Sequence, residues 1–169
     1  MGKTHYIVAG LGDADMVWLL SMGKLRMLKP GERLVKAGTA LQDLFFVTRG
    51  TLSVVQADGT PVATLGEGAV IGEMSFIERQ PPSTSVIAVD RIELLAIPRE
   101  AILERFEREP EFAARFYRAL AVFLSERLRE TTAAMREAGQ HPENLAMSPG
   151  GGDRFGRFVR MLKGNGAPA

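Results

Sequence analysis

Glycines interrupt the stretch from Leu25 to Ile97 at short intervals, and this punctuation restricts the fold more than any other feature of the chain. Most of them follow one another at intervals of seven to twelve residues, and short apolar runs lie between them. Such spacing is typical of short antiparallel strands in a sandwich or jelly roll, and Asp58-Gly59 is the clearest hairpin turn. Because strands and helices do not alternate here, we predict an all-β segment of about 70 residues.

Three predicted helices flank this β segment. Residues 13–22 begin with the acid Asp13, suited to capping, and stop before Gly23. Pro98 precedes a second helix over residues 99–108, and Pro110 begins a third that continues to about residue 138. We therefore expect one domain over residues 1–138, mainly β with flanking helices, in which the long helix covers about 110–138.

The third helix carries an apolar stripe with steps of three and four residues. Its members are Tyr117, Leu120, Leu124, Leu128, Thr131 and Met135. A narrow stripe on a long helix is typical of a coiled-coil seam, so we expect a parallel homodimer through this helix. The alternative is that the stripe packs on the β segment of its own chain.

The chain beyond the third helix changes in composition. Residues 139–152 are rich in Gly and Pro and are predicted to be a flexible linker, and residues 165–169 a disordered end. Residues 153–164 predict a basic amphipathic helix, with Phe155, Phe158, Val159 and Leu162 on one side and Arg154, Arg157, Arg160 and Lys163 on the other.

This basic helix is the part of the chain that we expect to interact with a partner. Four basic and two acidic side chains give residues 139–169 a charge of +2, while the remainder, with 17 basic and 18 acidic side chains, has −1. An unidentified protein partner could bind residues 153–163, or the apolar side could dock on the body of the chain. A membrane is disfavoured, since Gly156 weakens the helix and no tryptophan anchors it.

Several classes of function are excluded by what the sequence lacks. It has no cysteine, and its two histidines, His5 and His141, lie outside the β segment. No metal site of the cupin type, histidine-ligated haem, iron–sulfur cluster or nucleophile–histidine set can be assembled, so we expect no catalytic activity. No signal peptide is visible, and we expect a cytoplasmic protein.

Several ordered motifs over residues 28–86 resemble the cyclic nucleotide-binding domain of the catabolite-activator and protein-kinase-A regulatory families. They are Leu28-Lys-Pro-Gly-Glu32, Ala37-Gly38, Asp43-Leu-Phe-Phe-Val47 with Arg49-Gly50, Ile71-Gly-Glu-Met-Ser75, and Ser83-Thr-Ser-Val86. The helices extend the match to about residue 138. The resemblance implies a double-stranded β-helix, or jelly roll, followed by a long dimerisation helix. Bacterial relatives add a winged helix-turn-helix, but the 31 residues after Ala138 are too few for one, so DNA binding is not expected.

The same resemblance implies where a ligand binds. Gly72 and Glu73 match the pair that contacts the ribose, where the glutamate accepts from the 2′-hydroxyl, and Ser83 matches the residue after the phosphate-binding arginine. Pro82 occupies the position of that arginine, so the expected cation is missing. The ligand-binding residues implied are Gly72, Glu73, Met74, Ser75, Pro82, Ser83, Thr84 and, through alignment of the long helix, the adenine-contacting pair Thr131 and Thr132.

Two alternatives for the missing cation stay open. Arg79, three residues before Pro82, is the candidate substitute, although it could equally be a solvated surface arginine. Backbone N–H groups and hydroxyls near Ser83 and Thr84 could instead solvate a phosphate without a cation. The sequence therefore predicts a bacterial regulatory module that binds cyclic AMP or cyclic GMP and needs no cofactor. Its alternative is a dimeric scaffold that has lost the ligand or binds another anion.

Overall fold

The computed structural model describes residues 10–139, which form two compact units, one ending at Arg127 and the other beginning at Leu128. The elements in chain order are helix α1 (Asp13–Met22), strands β1 (Lys24–Leu28), β2 (Arg33–Val35), β3 (Asp43–Arg49), β4 (Leu52–Val55), β5 (Pro61–Leu65) and β6 (Val70–Ile71), helix α2 (Glu73–Glu78), strands β7 (Ser85–Ala88) and β8 (Ile92–Pro98), and helices α3 (Arg99–Arg108) and α4 (Pro110–Glu137). The predicted linker, basic helix and end, residues 140–169, lie outside the described part.

The strands form two antiparallel four-stranded sheets, with the orders β1-β8-β3-β6 and β2-β7-β4-β5. This arrangement confirms the jelly roll that the glycine spacing predicted. The Asp58-Gly59 hairpin is also confirmed, since β4 and β5 pair across it and the Gln56 N–H donates to the Thr60 carbonyl at 2.9 Å. The turn residues connect consecutive strands, and the apolar residues of the strands form the buried core.

The central strands β3 and β8 are buried on both faces of their sheet. Along β3, Phe45 and Val47 pack between the two sheets, whereas Leu44 and Phe46 pack against the helices. Strand β8 alternates in the same way, with Leu94 and Ala96 on the intersheet side and Leu95 and Ile97 on the helical side. Successive side chains of a strand point to opposite faces, so one sheet serves two apolar clusters.

The helical cluster is built around aromatic side chains. Phe112 and Phe116 of α4 are fully buried, and their ring centroids lie 5.5 Å from Trp18 of α1 and 5.8 Å from Phe76 of α2, respectively. These contacts join both shorter helices to α4. None of the helices in residues 10–139 is long and apolar enough to cross a membrane.

The prediction for the apolar stripe of α4 needs a correction at Leu120. This side chain is fully buried in the helical cluster of its own chain, so it cannot contact a second copy. Leu124 is partly buried against the same cluster, and Tyr117 lies beside the rings of Phe76 and Phe106. This first part of the stripe follows the alternative of packing on its own chain, because α4 covers the sheet there. Leu128, in the second unit, is 59% exposed.

Asp15 joins α1 to α3 and α4 through two arginines. Its carboxylate is 2% exposed and accepts hydrogen bonds from Arg105 Nη2 at 2.9 Å and Arg115 Nε at 2.8 Å. The hydrogen bond from Arg115 is the main reason why the pKa of Asp15 lies below its ordinary value. Asp15 also accepts from the Gly12 N–H at 3.2 Å, so it caps the helix, and the prediction that Asp13 caps it is wrong.

Candidate functional site

A cavity of about 200 Å³ opens beside α2 and the loop that follows it. Its walls come from the start of α2, the loop over residues 80–84, apolar side chains of the strands, and Arg127 of α4. All of these residues belong to the unit that ends at Arg127. The polar part of the wall contains a carboxylate, a guanidinium and hydroxyl groups, which is a suitable set for a small polar ligand.

Gly72 allows the chain to turn from β6 into α2 at the cavity wall. Its φ of 94° lies in the left-handed region that side chains with a Cβ rarely adopt. A Cβ at this position would lie 3.2 Å from Leu41 Cδ1 and 3.3 Å from the Asp43 carbonyl oxygen. The glycine therefore permits both the turn and the close approach of β3, and this geometry brings Glu73 to the cavity.

Glu73 and Arg127 form an ion pair in the cavity wall. Glu73 is 4% exposed, and its Oε1 lies 2.5 Å from Arg127 Nη1. The side chain of Arg127 is 35% exposed, so it connects the buried carboxylate with solvent. Burial raises the pKa of Glu73, and the charge of Arg127 opposes this shift only in part. The structure thus places a cation beside the residue that the sequence identified as a ribose contact.

The structure brings most of the predicted ligand residues to one cavity. Its lining includes Gly72, Glu73, Met74, Ser75, Pro82, Ser83 and Thr84. Arg79 is not in the lining: it is exposed at the end of α2, where its φ is 58°. Arg79 therefore does not supply a positive charge to the wall of this cavity. Thr131 and Thr132 lie on α4 in the second unit.

Sequence reasoning missed Arg127, although a signal for it was available. The alignment of the long helix that identified Thr131 and Thr132 covers Glu126 to Thr132. Arg127 lies within it, four residues before Thr131. Residues four apart occupy the same face of a helix, so an adenine-contacting pair at 131–132 should have directed attention to position 127.

Replacing Glu73 by Gln is expected to raise the free energy of unfolding at pH 7. Because its pKa is raised in the folded state, the favourable contribution of Glu73 is present at low pH and lost as the pH rises through its folded pKa. Urea denaturation at several pH values should show Glu73→Gln more stable than wild type at pH 7 and the difference shrinking in acid. A less stable variant at pH 7 would show that the pair with Arg127 outweighs the burial of Glu73.

Among residues 10–139, no group of three or more His, Cys, Asp or Glu side chains could hold a metal ion.

The family model described as "Cyclic nucleotide-binding domain" matches residues 25–109. Glutaminase 2 of Bradyrhizobium diazoefficiens is 30% identical over 122 residues, which cover 72% of this chain and 19% of that protein. The human voltage-gated inwardly rectifying potassium channel KCNH6 is 30% identical over 162 residues, covering 95% of this chain and 16% of the channel. The chain thus spans about a fifth or less of these curated relatives.

Solved structures share the same fold. A cyclic nucleotide-binding domain from Methylobacillus flagellatus superposes with a TM-score of 0.71 at 21% identity, covering 84% of this chain and 86% of that one. The catabolite activator protein of Thermus thermophilus has a TM-score of 0.62 at 29% identity, covering 79% of this chain and 63% of that one. The family is a regulatory, non-catalytic one. The matched residues include β1 to β8 and most of the cavity wall, and the chain belongs to the cyclic nucleotide-binding domain family.

Proposed function

We propose that this chain is a non-catalytic sensor module that binds cyclic AMP or cyclic GMP in the cavity between α2 and the loop over residues 80–84. The observation that carries the proposal is the position of Arg127. This arginine lines the cavity next to Glu73, and Pro82 in the same wall takes the place of the family's arginine. Arg127 supplies the cation from the long helix.

One arginine can serve both Glu73 and an anionic ligand. A guanidinium has five N–H donors in a planar fork, so it can hold a carboxylate on one edge and a phosphate oxygen on another. Ser83 and Thr84, also in the wall, add hydroxyl groups. Because Glu73 already neutralises much of the charge of Arg127, we expect weaker affinity than an uncompensated arginine would give.

The position of Arg127 also suggests how ligand binding in the cavity could be transmitted to the long helix α4. A ligand that binds Arg127 interacts directly with α4. A helix can shift as one rigid element in response to such an interaction. We propose that α4 passes this change to a homodimer partner through Leu128, Thr131 and Met135, and that residues 153–163 bind an unidentified protein. Thr131 and Thr132 are proposed as base contacts. We propose that the module acts in the cytoplasm.

The test replaces Arg127 by Met and titrates the protein with cyclic AMP and cyclic GMP up to millimolar concentrations in a calorimeter. Loss of the charged partner of a buried anion costs about 2 to 5 kcal/mol, so affinity should fall roughly thirty-fold or more. Arg79→Met is the matched control, since Arg79 is exposed and outside the cavity lining, and it should bind like wild type.

The second candidate function is a scaffold that does not bind cyclic nucleotides. It is favoured by the same ion pair, because the charge of Arg127 is already paired with that of Glu73 within the chain. No saturable heat from the wild-type protein would support this candidate. Saturable heat that Arg79→Met abolishes and Arg127→Met retains would show that the cation has been assigned to the wrong residue.

A further inference from the structure

Helix α2 is a short element whose last carbonyl groups need partners from outside the helix. It has six residues, and at its end the Ser75 carbonyl accepts from the Arg79 N–H at 3.0 Å. The carbonyl groups that follow Ser75 in the last turn have no intrahelical N–H within reach, and the Ser75 carbonyl can accept a second hydrogen bond. What holds these carbonyls therefore decides how firmly α2 is placed.

Arg99 provides these partners from the first residue of α3. Its Nη1 donates to the Ser75 carbonyl at 3.1 Å and its Nη2 to the Phe76 carbonyl at 3.4 Å. The guanidinium also lies 5.5 Å from the centroid of the Phe76 ring. The planar fork thus contacts two successive carbonyls from two separate nitrogens held in a rigid geometry and also faces the aromatic ring between the helices, whereas an ammonium offers a single nitrogen on a flexible stem.

The backbone of Arg99 is fixed independently of its side chain. Its N–H donates to the Gln42 carbonyl at 2.9 Å, directly before β3, and Pro98 before it pairs with Asp43. The side chain therefore extends from a point that is anchored to the sheet. At the other end of α2, the left-handed Gly72 gives little resistance to rotation, since glycine has no Cβ.

We propose that Arg99 is a positioning residue for the cavity: by holding the last carbonyls of α2 it sets where that helix places Glu73, and it ties this placement to α3. The apolar contacts of Phe76 with α3 and α4 are not directional, whereas the two hydrogen bonds of Arg99 fix the rotation of α2. The effect on ligand affinity rests on the function proposed above, but the effect on α2 does not.

The experiment compares the full-length wild type with Arg99→Met, which loses the fork, and Arg99→Lys, which keeps the charge but replaces the two donating nitrogens of the fork by one ammonium nitrogen. Arg118→Met, at an exposed position of α4, is the matched control. Amide hydrogen exchange measured by NMR should be about tenfold or more faster at Arg79 in Arg99→Met, intermediate in Arg99→Lys and unchanged in the control. Exchange of the Val86 amide in β7 should stay as in wild type.

A second readout separates placement of α2 from general weakening of the fold. Carbon-13 NMR of the Glu73 carboxyl should show that its pKa moves toward the ordinary value of a glutamate in Arg99→Met, because α2 no longer holds this carboxyl buried. Calorimetry with cyclic AMP and cyclic GMP should show weaker binding in the same variant. If the wild type gives no heat, the proposed function fails, and the exchange and titration results still decide the role of Arg99.

The proposal is overturned if exchange at Arg79 and the titration of Glu73 match wild type in both Arg99 variants. Should Arg99→Met not fold, Arg99→Lys carries the test, because it retains the positive charge next to Phe76 and removes the second donating nitrogen of the planar fork.

Discussion

Asp15→Asn is expected to lower the free energy of unfolding at pH 7 by about 3 kcal/mol and the melting temperature by roughly 10 °C. The side chain of Arg105 is 10% exposed, so water cannot fully replace Asp15, the buried one of its two carboxylate partners. The amide keeps the shape of the aspartate and removes its charge, so Arg105 and Arg115 lose their ion pairs with α1, while the contact of the Arg105 guanidinium with the Trp18 ring at 4.7 Å remains. Urea denaturation followed by circular dichroism measures the change.

The pH dependence of this effect has a defined sign. The pKa of Asp15 is lowered in the folded protein, mainly by the hydrogen bond from Arg115, so its contribution is present at neutral pH and lost as the pH falls through the folded pKa. Wild type and Asp15→Asn should therefore converge in acid. Glu109→Gln is the control, because Glu109 binds the same Arg105 from an exposed position and should have a much smaller effect. Equal stability of Asp15→Asn and wild type at pH 7 would contradict the prediction.

Phe76→Ala is expected to lower the free energy of unfolding by about 3 to 5 kcal/mol, as the loss of a fully packed aromatic side chain does. Its ring is 3% exposed, and its centroid lies 6.0 Å from that of Phe106 and 5.8 Å from that of Phe116. Since this residue attaches α2 to the helical cluster, the variant should also lose affinity for cyclic nucleotides. Denaturation and calorimetry measure the two effects.

Two other substitutions in α2 distinguish the loss of Phe76 packing from an effect of the substitution on the helix itself. Phe76→Leu retains most of the apolar volume and should cost less than about 1.5 kcal/mol. Ile77→Ala alters the neighbouring residue of α2, whose side chain is 43% exposed, and should change stability by no more than about 0.5 kcal/mol. If Ile77→Ala cost as much as Phe76→Ala, the effect would reflect the helix and not its packing on Phe106 and Phe116.

The β part of the fold was accessible from the sequence because its signals are local. Turns such as Asp58-Gly59 depend on the conformations that a few residues can adopt, and the intervals between them fix the length of the strands. The start of α4 was also predictable from nearby residues. Pro110 suits the first position of a helix, where its missing N–H would have no intrahelical partner. For these elements neighbouring residues carried the necessary information.

Turn and strand signals of this local kind did not identify the cation of the cavity, because its place beside Glu73 depends on a contact between distant residues. Glu73 and Arg127 are 54 residues apart, and an arginine on a long helix is otherwise a common surface residue. Leu120 illustrates the same limit. Its spacing fits a coiled-coil seam and also fits a helix that covers a sheet, and only tertiary packing distinguishes the two.

Because neighbouring side chains of β8 enter different apolar clusters, the parity of a residue number on this strand identifies the layer it touches. Leu94 packs between the sheets and Leu95 packs against the helices, yet a single peptide bond joins them. Methyl labels on these two leucines would therefore act as paired probes at nearly the same point of the molecule. One would respond to events in the strand layer that contains the cavity, and the other to events among the helices.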